Sequence, residues 1–126
     1  MKTAIQLSID LPNNPGSLAR MTDMLRAAEV NIEALFCNEG SSKTAVHCVV
    51  NDPETAKMVL REVGDVRATE VLAIPIKNKP GAIAHIARMC AGHQINIKHI
   101  YATSLGKDAM VYLAVDDIAK AKKSIK

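Results

Sequence analysis

The stretch "NNPGSLA" at residues 13–19 decides the fold, because nearly the same phrase, "NKPGAIA", returns at residues 78–84. Each copy follows a stretch that alternates apolar and polar residues, the period of a strand with one buried face. Each copy also precedes apolar residues at helical spacing. Because proline suits the first turn of a helix, we predict that Pro15 and Pro80 begin helices.

The repeat extends over almost the whole chain. A shift of 65 positions aligns residues 5–61 with 70–126 without a gap, and fourteen of the 57 pairs are identical. Average composition would give about three or four identities by chance. Two copies are too few for a solenoid, so we predict a duplicated domain with modules at 1–66 and 67–126 and a shared strand region at 66–76.

Each copy contains the order strand, helix, strand, strand, helix. With one further strand this order is βαββαβ, which predicts an α+β fold of two ferredoxin-like modules side by side. Asp52 and Asp117 are predicted to cap the second helix of each copy. Copy two ends within its second helix, so we expect it to lack its last strand and to form three strands or borrow one from a partner chain. Pro75 agrees with an edge strand.

The composition is that of a globular protein of 126 residues with a net charge of +3. Residues 1–66 carry a net charge of −3 and residues 67–126 one of +6. With no signal peptide and no membrane-spanning run, we expect a cytoplasmic protein with no membrane partner. Neither the three cysteines nor the four histidines have metal-site spacing, so we expect no metal, no cofactor and no catalytic residue.

The repeated motif resembles that of the ACT domain. In both copies an asparagine precedes Pro-Gly, and the stretch Val-Asn-Ile or Ile-Asn-Ile follows about fifteen residues later. The likeness covers both copies, and in layout the chain is similar to small free-standing members with two ACT modules and no catalytic domain. The resemblance implies a regulatory protein that binds a free amino acid where two modules meet.

The resemblance also nominates ligand-binding residues. It pairs Asn13 of the first loop with Asn96, and Asn78 with Asn31, each pair completing one site. An asparagine amide offers donors and acceptors to an amino-acid zwitterion, and a glycine allows a ligand close to the backbone. The full set of nominated residues is Asn13, Asn14, Gly16, Asn31, Asn78, Gly81 and Asn96.

Other interpretations of the same residues stay open. Asn-x-Pro-Gly is also an ordinary helix-entry turn, so the chain could be an interaction or regulatory subunit of an amino-acid metabolic enzyme with vestigial sites. Binding of nucleic acid is disfavoured because the three aromatic residues form no RNA-recognition string. A heavy-metal transport domain would need paired cysteines in the first loop.

Two further patterns concern association. The aligned pair Glu33 and Lys98 has opposite charges, so we hypothesise that the second strands of the two copies pair with each other. Apolar residues are expected on the sheet face away from the helices, and we therefore expect a homodimer through that face. These residues are Val71, Ala73, Leu35 and Cys37.

Overall fold

A computed structural model describes residues 2–125, and both copies contain the predicted order of elements. The first copy contains β1 (Lys2–Pro12), α1 (Ser17–Ala27), β2 (Ile32–Glu39), β3 (Lys43–Val50) and α2 (Pro53–Leu60). The second contains β4 (Val66–Lys77), α3 (Ala82–Gly92), β5 (Ile97–Leu105), β6 (Asp108–Val115) and α4 (Ile118–Ser124). This order confirms the predicted α+β fold of two ferredoxin-like modules.

The first compact unit spans Ile5–Thr69. Within it β1 and β2 each pair antiparallel with β3, giving the strand order β2-β3-β1. The start of β4 also belongs to this unit, and an Arg67 guanidinium nitrogen lies 3.4 Å from an Asp10 carboxylate oxygen. The core is formed by apolar side chains of β1, β3 and both helices, including Leu7, Met21 and Leu60.

The second compact unit contains residues 70–125 together with residues 2–4. Here β4 and β5 each pair antiparallel with β6, and Leu72, Ile86 and Leu113 contribute to a separate core. Among the described residues no strand follows α4, in agreement with the prediction that copy two lacks its last strand. The start of β1 folds with this unit instead, and the Lys122 side chain and, less strongly, the Thr3 side chain lower the pKa of Glu70.

The entries to the helices differ in one respect from the prediction. Helices α1 and α3 begin after Gly16 and Gly81, whose φ angles of 95° and 89° lie in the left-handed region. Pro15 and Pro80 therefore lie in the preceding turn and do not begin the helices, which is a correction. The predicted caps of α2 and α4 are confirmed, because the Asp52 and Asp117 carboxylates accept backbone N–H bonds.

Strands β2 and β5 each contain an irregularity, and they do not pair with each other as expected. The register of β2 against β3 shifts between Ile32 and Ala34, and that of β5 shifts between Ile97 and His99. Glu33 and Lys98 are thus the extra residues of two β-bulges. In the described residues β2 pairs only with β3 and β5 only with β6, so the hypothesis that β2 and β5 pair is wrong.

The bulges also change which face some side chains take. Leu35 packs against the core of the first unit, and Cys37 pairs in register with the core residue Val46. Leu35 and Cys37 therefore lie on the helix-facing side, contrary to the prediction. Val71 and Ala73 lie on the other face as expected, but they are buried within the chain. Val71 and Ala73 are thus buried and Leu35 and Cys37 lie on the opposite face, so these four residues do not form the exposed apolar surface on which the expected homodimer rested.

No helix in residues 2–125 has the length and apolar character needed to span a bilayer.

Candidate functional site

The Asn13 side chain fastens its loop to the turn between β2 and β3. Its amide nitrogen donates to a Glu39 carboxylate oxygen and to the Gly40 carbonyl, both at 3.0 Å. Its amide oxygen accepts from the Thr44 hydroxyl at 3.4 Å. Because a primary amide has two N–H donors, both donors of Asn13 are occupied. What remains for a ligand is acceptor capacity at the amide oxygen.

Asn78 holds the equivalent loop of the second unit with fewer bonds. Its amide nitrogen donates to the Gly106 carbonyl at 3.0 Å, and its backbone N–H donates to the Lys107 carbonyl at 2.8 Å. The residue aligned with Glu39 is Ser104, which carries no charge. Within the described chain one N–H donor and the amide oxygen of Asn78 thus stay available.

The second pair of asparagines uses its backbone rather than its side chain. The Asn31 N–H donates to the Asn51 side chain at 2.9 Å, and the Asn96 N–H donates to the Asp116 carboxylate at 3.1 Å. Both asparagines are exposed, and their amides make no hydrogen bond to another described residue. Their side chains are therefore open to an external partner.

The other nominated residues shape the loops. The Asn14 amide oxygen accepts from the Ser17 hydroxyl at 2.7 Å, a local contact at the start of α1. A Cβ added at Gly16 or Gly81 would meet no atom within 4 Å. The glycines are therefore required by their positive φ angles and not by crowding.

Asn78 lines a small cleft between the start of α3 and the β5–β6 hairpin. The cleft has a volume of about 160 Å³ and includes Lys79, Ile83 and Ser104 in its lining. This volume is below the ~300–1,000 Å³ of pockets for drug-sized ligands, so it suits a small molecule. A larger cleft of about 360 Å³ is lined by Asn14, Gly16 and Arg20 in the first unit.

Stacked ring pairs at aligned positions went unpredicted. Phe36 stacks on His47 with ring centroids 4.5 Å apart, and Tyr101 stacks on Tyr112 at 5.3 Å. The His47 Nδ1 also shares a 2.8 Å hydrogen bond with the buried Ser8 hydroxyl. The 65-residue offset relates Phe36 to Tyr101 and His47 to Tyr112, so comparison of the aligned aromatic positions would have found both pairs.

The cysteines do not form a reactive centre. Cys48 is buried, and burial together with the nearby Cys37 raises the pKa of its thiol to about 11. Burial also raises the pKa of Cys37 and of Cys90 above the ordinary value. Thiols with raised pKa carry little thiolate near neutral pH. Within residues 2–125 no group of histidine, cysteine, aspartate or glutamate side chains has a metal-binding arrangement.

Comparison with protein families decides the assignment. A family model described as "ACT domain pair" matches residues 2–126. The chain belongs to this family. The ACT domain pair thus spans both repeats, in agreement with the resemblance drawn from the asparagine motif. Comparison with the curated proteins finds no match to this sequence.

Solved structures share the architecture of this ACT domain pair. Protein BT0572 from Bacteroides thetaiotaomicron is 27% identical with a TM-score of 0.92, covering 98% of this chain and 86% of its own. The ligand-free regulatory subunit of aspartate kinase from Thermus thermophilus is 14% identical with a TM-score of 0.68, covering 100% and 99%. The corresponding subunit from Thermus flavus is 16% identical with a TM-score of 0.59, covering 98% and 90%. The two aspartate kinase subunits support the fold.

Proposed function

We propose that this ACT domain pair is a non-catalytic regulatory protein that binds a free amino acid where two ACT modules meet. Family membership supports a regulatory role, and similar folds serve as regulatory subunits of aspartate kinase. By analogy, a partner enzyme of amino-acid metabolism is part of the proposal.

The proposal rests on the unused hydrogen-bonding capacity of the Asn78 side-chain amide. Its free N–H can donate to the carboxylate of an amino-acid zwitterion, and its amide oxygen can accept from the ammonium group. Lys79 lines the same small cleft and supplies a positive charge for the carboxylate, while Ile83 and Ala102 supply apolar surface. The exposed amide of Asn31, from the other module, completes the proposed site.

A thermal-shift screen of the twenty amino acids tests this proposal. A ligand at about 100 times its Kd adds about 2.7 kcal/mol to the free energy of unfolding, which raises the melting temperature. Calorimetry of the best ligand should then show binding weakened about tenfold by Asn78→Ala, the loss of one or two hydrogen bonds. Asn38→Ala is the matched control, because Asn38 is an exposed asparagine of β2 outside the nominated set. If none of the twenty raises the melting temperature, the proposal fails.

The second candidate is an interaction subunit with vestigial ligand sites. The hydrogen bonds of Asn13 favour this candidate, because both N–H donors of its side chain are already used within the first unit. If calorimetry finds no amino acid that binds, this second function becomes the better proposal.

A further inference from the structure

The hairpins beside the two loop asparagines have the same register but different side chains. In the first unit Glu39 of β2 pairs with Thr44 of β3. In the second unit Ser104 of β5 pairs with Ala109 of β6. The offset of 65 positions relates one pair to the other. The two asparagine loops therefore meet hairpins that differ in the residues at this pair and not in strand register.

In the first unit both members of the pair bond to the side chain of Asn13. The Glu39 carboxylate accepts from the amide nitrogen at 3.0 Å, and the Thr44 hydroxyl donates to the amide oxygen at 3.4 Å. A carboxylate is the same chemical group that a bound amino acid would offer to this amide. Glu39 thus takes, from within the unit, the bond that an amino acid would make with Asn13.

In the second unit neither member of the pair bonds to Asn78. Ser104 has no carboxylate, and its hydroxyl makes no hydrogen bond to another described residue. Ala109 has no hydroxyl to donate. Both residues line the cleft of about 160 Å³ that Asn78 also lines. One N–H donor and the amide oxygen of Asn78 are therefore open because of the residues at this pair.

The charges beside the two loops differ in the same direction. In the first unit the hairpin charges of Glu39 and Lys43 cancel, and Asn14 stands where the second unit has Lys79. Lys79 lines the cleft and makes no ion pair with a described residue. A carboxylate of a small molecule is attracted by an unpaired cation and repelled by a neighbouring carboxylate. The second loop is thus the better anion acceptor of the two.

We propose that the pair Ser104 and Ala109 confines amino-acid binding to the second loop, so that each chain binds one amino acid, at Asn78. The inference rests on the proposed function, and it adds which of the two repeated loops binds and which residues decide this. Glu39 and Thr44 act in the first unit as an internal substitute for the amino acid, since they use the amide groups that it needs.

A transfer of the first pair into the second unit tests the inference. The probe is an equimolar mixture of the twenty L-amino acids, each at up to ~1 mM, and the readout is the rise in melting temperature. In Ser104→Glu with Ala109→Thr, we expect the same rise to need at least about tenfold more of the mixture. Thr103→Glu is the matched control, because Thr103 is also on β5 but does not line the cleft. Its effect should stay below about threefold, since exposed charges interact weakly.

A second measurement needs no amino acid. NMR can follow the exchange of the asparagine side-chain amide protons with water, which should be slower at Asn13 than at Asn78 in the wild type. The double variant should slow this exchange at Asn78. The reverse change, Glu39→Ser with Thr44→Ala, should quicken it at Asn13. Circular dichroism verifies that each variant is folded.

Four results would overturn the inference. Calorimetry with the most stabilising member of the mixture could show two equal sites per chain. The double variant could keep its affinity while Asn78→Ala weakens binding about tenfold, which would leave the proposed function intact. The amide protons of Asn78 could exchange no more slowly in the double variant. If the mixture does not raise the melting temperature of the wild type, the proposed function and this inference fail together.

Discussion

Asn13 and Asn78 occupy aligned positions in the sequence but differ in the hydrogen bonds that their amides can still form. The carboxylate of Glu39 occupies a donor of Asn13, whereas the aligned Ser104 leaves the corresponding donor of Asn78 open. The motif alone predicts two equal half-sites, because a single sequence does not reveal which neighbours an exposed amide will contact. The difference makes Asn78 the better candidate.

Asp52 gives the stability of the first unit a dependence on pH. Its carboxylate accepts from the Thr55 hydroxyl at 2.7 Å and from the Thr55 N–H at 3.2 Å, and these bonds lower its pKa. Because the pKa is lower in the folded state, the stabilisation is fully present above the unfolded value of about 3.9 and is lost as the pH falls through the folded value. The sign is therefore destabilisation by acid.

We predict that Asp52→Asn removes this part of the acid sensitivity. Urea unfolding between about pH 7 and 3 should show a wild-type advantage over the variant that shrinks below about pH 4. Thr55→Ala, which deletes the hydroxyl donor, should flatten the profile in the same direction. Parallel pH profiles for wild type and Asp52→Asn would contradict this account.

At the scale of the elements, stability depends on the apolar side chains that join each sheet to its helices. Leu72 of β4 is 0% exposed and belongs to the core of the second unit, whereas Leu105 at the end of β5 is 93% exposed. Removing a buried leucine loses its transfer free energy and leaves a cavity. Replacing an exposed leucine loses little transfer free energy and leaves no cavity.

We predict that Leu72→Ala lowers the free energy of unfolding by about 2–5 kcal/mol. Leu105→Ala, the same chemical change on the surface, should stay within about 0.5 kcal/mol of wild type. Urea denaturation of both variants makes the comparison. Similar losses in the two variants would show that the burial of Leu72 does not control stability.

The order of the elements could be predicted from the sequence, but the faces of β2 and β5 could not. Strict alternation from Ile32 places Leu35 and Cys37 away from the helices. The extra residue in β2 reverses this phase, so Leu35 reaches the core. A bulge has no reliable residue signature in a single sequence, since Glu33 fits an ordinary exposed strand position equally well.

At the scale of the whole molecule, the two longest strands, β1 and β4, are each divided between the compact units. The first few residues of each strand fold with one unit and the rest of the strand with the other. Residues 66–69 of β4 fold with the first unit, and residues 2–4 of β1 fold with the second. The shared region 66–76 was inferred because both copies needed it. The sequence does not predict that residues 2–4 fold with the second unit, because these residues lie outside the aligned repeat and are too few to show a distinctive pattern.

We predict that deleting residues 2–4 loosens the second unit more than the first. The deletion removes Thr3, which interacts with Glu70, and the half-buried Ala4. Hydrogen exchange should therefore quicken in peptides that cover residues 70–76, while peptides of β3 keep their protection. Thr3→Ala is the milder control and should give a smaller change at the same place. Equal effects in both units would contradict the assignment of residues 2–4.

The bulges in β2 and β5 also bear on the history of the chain. Glu33 and Lys98 stand at equivalent positions, and each is one residue more than its partner strand can pair. A bulge at the same place in both halves is what duplication of a half-length chain that already had the bulge would produce. The residue at the bulge has opposite charges in the two halves, whereas the register shift is the same.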